Sequence, residues 1–113
     1  MKYYEIELNG ETVKFRLTSN DCMTIEKSSG KSIIEYIQDM SMETIITLLR
    51  YIRRSSQHDF SQEDASNLFD KLVDADYTIE KIVTDIILEA LAVSGFMSKG
   101  DLTKMKEVKK QSK

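Results

Sequence analysis

The stretch that decides the fold reads Tyr3-Tyr4-Glu5-Ile6-Glu7-Leu8-Asn9-Gly10-Glu11-Thr12-Val13-Lys14-Phe15-Arg16-Leu17. Tyr4, Ile6 and Leu8 alternate with Tyr3, Glu5 and Glu7. Val13, Phe15 and Leu17 alternate with Thr12, Lys14 and Arg16. A period of two marks strands with one covered face. Asn9-Gly10 is the favoured pair for a two-residue type I′ turn, which needs positive φ at both positions. That turn sets Leu8 opposite Glu11, Ile6 opposite Val13 and Tyr4 opposite Phe15. Apolar pairs then meet on one face, while Glu5 meets Lys14 and Tyr3 meets Arg16 on the other. A lone hairpin is marginal in water, so helices must cover its apolar face.

Beyond Leu17 the period lengthens to about 3.6 residues. Thr18-Ser19-Asn20-Asp21 offers an N-cap and an acid for a helix over about 19–28, which buries Cys22 and Ile25 with Met23 or Glu26 beside them. Gly30 stops it. Ser32-Ile33-Ile34-Glu35 reads as a capping box opening a helix over about 33–39. Ser41 caps a third helix, about 42–55, with Ile45, Leu48, Leu49 and Ile52 as its stripe. Ser61 caps a fourth, about 62–74, whose stripe is Ala65, Leu68, Phe69, Leu72 and Val73. Thr78 caps a fifth, about 79–94, ended by Gly95. Its apolar arc holds Ile79, Ile82, Val83, Ile86, Ile87, Ala90 and Leu91, and leaves Leu88 and Ala92 outside. The expected fold is therefore α+β: an N-terminal β-hairpin packed on a bundle of about five short-to-medium helices, in one domain over residues 1–97.

Composition narrows the chemistry. The chain has 113 residues, one Cys, one His and no Pro. One Cys forms no internal disulfide, and one Cys with one His builds no structural zinc site. No apolar run reaches the ~18–20 residues that span a bilayer, and Met1-Lys2-Tyr3-Tyr4-Glu5 lacks the apolar core of a signal peptide. Charge is divided unevenly. Residues 98–113 carry six lysines against Asp101 and Glu107, a net +4; ten basic and seventeen acidic residues leave −7 on residues 1–97. The basic segment reads as a flexible, solvated tail. The acidic body argues against nucleic acid, which needs a basic face.

Candidates for chemistry are few. His58 lies in the polar break Ser56-Gln57-His58-Asp59, and Cys22 lies in an apolar stripe, where a thiol acts as a small hydrophobe. Asp70, Asp74 and Asp76 lack the glycine and the spacing of a calcium loop. Gly10, Gly30, Gly95 and Gly100 are too widely spaced for a phosphate cradle. Arg50, Arg53 and Arg54 form one compact basic patch, either a solvated helix face or a docking rim for an acidic segment. Met40 and Met42, with Phe96 and Met97, could make an adaptable binding surface.

The order of these features is similar to that of the tail assembly chaperones of long-tailed bacteriophages, prophages and gene-transfer agents. The likeness rests on a hairpin that ends in Arg16-Leu17-Thr18. It continues through Ile25-Glu26-Lys27-Ser28-Ser29-Gly30-Lys31-Ser32-Ile33-Ile34 and then amphipathic helices, covering about Glu5 to Met97. The resemblance implies a non-enzymatic protein without cofactor or metal. It implies binding to the tape-measure protein in the cytoplasm of the bacterial host, where the chaperone keeps this client soluble during tail-tube assembly, and absence from the mature virion. It also implies that a longer frameshifted form could recruit the tail-tube protein, and it leaves room for a homo-oligomer. No membrane partner is implied.

The family has no catalytic residues to carry over, so client contacts are read from the helical wheel. These are Leu88, Ala92, Phe96 and Met97 at the end of the fifth helix, with Arg50, Arg53 and Arg54 as a charged rim. Three other readings compete: a small helical regulator or nucleic-acid binder working through the arginine helix, a minor structural tail component, and an enzyme using Cys22 or His58.

Overall fold

The computed structural model describes residues 2–111, with the side chains of all of these except 99 and 108–111. Strands β1 (Tyr4–Leu8) and β2 (Glu11–Phe15) are followed by helices α1 (Ser19–Ser29), α2 (Ile33–Asp39), α3 (Met42–Arg54) and α4 (Gln62–Asp74). A fifth helix, α5, runs over residues 79–93 with a π turn, Val83–Ile87, in its middle, and α6 covers Lys99–Gln111. The fold is α+β, a two-stranded antiparallel hairpin on a small helical bundle.

The hairpin has the register that its turn demands: Tyr4 pairs Phe15, Ile6 pairs Val13, and Leu8 pairs Glu11. Asn9 and Gly10 take φ of 54° and 82°. On the apolar face Leu8 and Phe15 are buried, while Tyr4, Ile6 and Val13 are half-buried and packed against the core. The ladder stops at Tyr4 and Phe15, so Tyr3 and Arg16 do not extend it. The chain turns instead to the helices. Arg16 N–H donates to the Ile52 carbonyl of α3 (2.8 Å), and Leu17 N–H donates to Ser94 Oγ at the end of α5 (2.8 Å). Ser94 Oγ in turn donates to the Ala90 carbonyl (2.6 Å). Thr18 Oγ1 then accepts from Asp21 N–H and caps α1. Each residue of Arg16-Leu17-Thr18 thus has its own joint to make.

The segment from Ile25 to Ile34 is also a joint. Gly30 takes φ 70° at the end of α1 and donates to the Glu26 carbonyl (2.9 Å). Ser32 and Glu35 form the reciprocal capping box of α2. The Glu26 side chain reaches across from α1 and accepts from Ile33 N–H at 2.8 Å. A carboxylate there satisfies a donor that has no partner inside its helix and complements the positive end of the helix dipole. Glu26→Ala is expected to cost about 1–2 kcal/mol, the range for losing a charged helix cap. A urea midpoint lowered with unchanged slope would register it; an unchanged midpoint would mean that water replaces the carboxylate at no cost.

Helix α3 is the hub, packing on β2, α2, α4 and the π turn of α5. Its predicted stripe is buried in full, with Ile45, Leu48, Leu49 and Ile52 at the centre of the core. The stripe of α4 is buried through Leu72, but Val73, in the last turn, is exposed. Met23 is 56% exposed, so Glu26 rather than Met23 lies beside Cys22 and Ile25. Ile34 and Ile79 are also exposed.

Candidate functional site

Helix α5 departs from the wheel at its π turn. Leu88 N–H donates to the Val83 carbonyl five residues back, where a regular helix would use the fourth. One extra residue in the turn makes everything beyond it lag by about 100°. Leu88, on the far side of a regular wheel, swings to the side held by Val83 and Ile87. It is 0% exposed, so it cannot be a client contact in this fold. Leu91 and Ala90 stay in the core through the same shift.

The other apolar candidates remain at the edge. Ala92, Phe96 and Met97 are half-buried and packed against the core. Gly95, at φ 90°, ends α5, and Phe96 N–H donates back to the Leu91 carbonyl (2.9 Å).

The chain beyond Met97 is not the expected flexible tail, since it folds into α6. Ser98 caps this helix: Asp101 N–H donates to Ser98 Oγ (3.1 Å), and Asp101 Oδ2 accepts from Ser98 N–H (3.4 Å). The helix folds back on the last stretch of α5. Leu102 is buried and Met105 packs partly against the core. Lys106 Nζ meets Glu89 Oε1 of α5 at 2.9 Å. The cause is a short amphipathic pattern, Leu102, Met105 and Lys106 at i, i+3 and i+4, which turns two apolar chains and one charge to a single side. Residues 112–113 and the side chains of Lys99, Lys109 and Lys110 lie outside the described part. Residue 4 of the hairpin joins the same neighbourhood. Burial first, then the Glu89 and Asp85 carboxylates and Tyr77, push the Tyr4 hydroxyl above its ordinary pKa.

The three arginines do not form one rim. Arg53 is half-buried and donates to the Lys14 carbonyl (2.9 Å), Ser56 Oγ (2.8 Å) and Gln57 Oε1 (3.0 Å). Its guanidinium also lies 5.4 Å from the centre of the Phe60 ring. Arg50 Nε donates to the Phe60 carbonyl (3.3 Å) and lies over Tyr51. Arg54 also lies over Tyr51, 5.6 Å from the ring centre. Arg53 therefore fastens β2 and the α3–α4 loop to α3, because the hairpin brings Lys14 to the end of α3.

A cleft was not foreseen from the sequence. Between the hairpin turn and α4 it has a volume of about 400 Å³ and is lined by buried Leu8, Phe60 and Leu68 and by exposed Glu11, Asp64 and Lys71. Its one local signal was Phe60, an aromatic residue just after the polar break. Cys22 is buried, and burial together with the Glu26 carboxylate raises its thiol pKa, which disfavours the nucleophilic thiolate. Among the described residues, no group of three His, Cys, Asp or Glu could hold a metal ion, and no helix is long and apolar enough to cross a membrane.

No protein-family model, curated protein or solved structure matches this chain.

Proposed function

We propose that this protein is a tail assembly chaperone of a long-tailed phage or prophage. It would bind the tape-measure protein in the bacterial cytoplasm and keep it soluble while the tail tube forms. The reading is carried by the order of its features: the hairpin, the Arg16-Leu17-Thr18 step, the Ile25-to-Ile34 segment and the amphipathic helices after it. Two physical facts support it. Met23, Ile34, Met42, Val73 and Ile79, one on each of helices α1 to α5, are large apolar side chains left exposed, and exposed apolar side chains are what a helical client would cover. The half-buried patch of Ala92, Phe96 and Met97 adds to them.

The test is co-expression with the long helical tape-measure protein of the same gene cluster. The client is expected in the soluble fraction, bound to this chain, only when both are made. Mass spectrometry of purified virions is expected to find the client and not the chaperone. A client equally soluble alone, or this chain present in stoichiometric amounts in virions, would exclude the role.

A further inference from the structure

We infer that the end of α5 is a docking face for a basic amphipathic helix of the client, and that α6 occupies this face in cis until the client displaces it. The inference rests on the chaperone reading and names its contact surface. The occupant's chemistry is set by what already sits there. Helix α6 presents Leu102, Met105 and Lys106 to α5, and Lys106 pairs with Glu89 at 2.9 Å. A partner with two apolar residues three apart and a lysine or arginine one residue later would make the same contacts.

Charge favours such a partner. The body carries −7 against +4 on residues 98–113, and Asp85 and Glu89 both act on Tyr4 beside the face. Opposite charge steers a basic helix toward an acidic surface.

The cover is thin enough to leave. Leu102 is the one buried side chain among those described in α6, while Thr103, Lys104 and Glu107 are exposed. The Lys106–Glu89 pair keeps 29% and 26% of its side-chain surface in solvent, so water can still reach it and screen it in part. Segments with few buried apolar contacts open first. Ala92, Phe96 and Met97, at and just beyond the end of α5, are half-buried even with α6 in place. A folded arm of this kind lowers the apparent affinity of any competitor by the fraction of time it is closed.

The probe is a fluorescent peptide of residues 97–113, followed by anisotropy on the full-length chain. The variant Leu102→Asp/Met105→Asp disables the arm in cis without altering the face on α5. It is expected to bind the peptide at least tenfold more tightly than the wild type, and adding Glu89→Lys is expected to abolish that gain. Equal affinity for variant and wild type, or equal binding of a peptide carrying both aspartates, would overturn the inference. A second measurement needs no variant. Hydrogen exchange on the wild-type chain is expected to show amides 102–107 exchanging at least tenfold faster than 88–93, and faster still with excess peptide. Matching slow rates that the peptide leaves unchanged would overturn it as well. A dimer that forms on concentration and is lost in the arm variant would place α6 on a second copy and reject the cis cover. Peptide binding as expected with a client that stays insoluble would retain the docking face and reject the tail-assembly role. A soluble, bound client with no peptide binding would do the reverse.

Discussion

Leu88→Asp is expected to leave no stably folded protein. Truncating a buried leucine alone costs about 2–5 kcal/mol. An unpaired carboxylate in an apolar site adds several kcal/mol, whether the group stays charged or takes up a proton to avoid it. Leu88 is fully buried, as are its core neighbours Ile87 and Leu91. Domains of this size are stable by only ~5–15 kcal/mol, so the substitution consumes most or all of the margin. The observables are loss of the cooperative thermal transition by circular dichroism and loss of soluble yield, with Leu88→Met retaining both. A cooperative melt close to that of the wild type would place Leu88 at the surface and refute the π-turn account of its burial. Such a variant is consequently unsuited to probing client contact, whereas substitutions at Phe96 or Met97 act on half-buried positions.

Arg53→Ala and Arg54→Ala are expected to separate sharply, although the two residues are adjacent. Arg53 makes three hydrogen bonds and one ring contact that join α3, β2 and the loop before α4. Hydrogen bonds from a charged donor are each worth about 1.5–3 kcal/mol, with cooperative losses when they share one group. The Arg53 alanine variant is therefore expected to lose about 2–3 kcal/mol. Arg54 makes a ring contact with Tyr51, and its loss is expected to stay within about 1 kcal/mol. Urea unfolding of the two variants with a common slope decides the matter. Equal midpoints would return the arginines to a single solvated patch.

The two outcomes mark where a linear reading succeeds and where it stops. The hairpin register was legible because turn chemistry and side-chain alternation are both local and agree on one pairing. The capping box at Ser32, the N-cap at Ser61 and the bounds of α4 were legible for the same reason. Leu88 was not, because a helical wheel assumes one constant angle per residue and the π turn breaks that assumption. Nothing in Val83-Thr84-Asp85-Ile86-Ile87 announces the break. The arginine patch was misread because Lys14 reaches Arg53 across 39 positions of chain, a distance no window of sequence covers. For α6 a signal did exist: Ser98 and Asp101 as a cap, then Leu102 and Met105 on one side. The six lysines of residues 98–113 mask it, because a high charge density also marks a solvated segment. Of the proposed contacts, Ala92, Phe96 and Met97 lie at the edge of the core, Leu88, Arg50 and Arg53 serve the fold, and Arg54 lies over Tyr51.

The π turn has a further consequence for chain length. Deleting one residue from a regular helix rotates everything beyond it by about 100° and pulls it 1.5 Å back along the axis. In α5 the residue in excess is already stored between Val83 and Ile87. Removing one residue there would cancel the stored offset instead of creating one, and both flanks would keep the faces they now bury. The middle of the most apolar helix is thus the place in this fold where a shorter relative could lose a residue and still align its core on both sides.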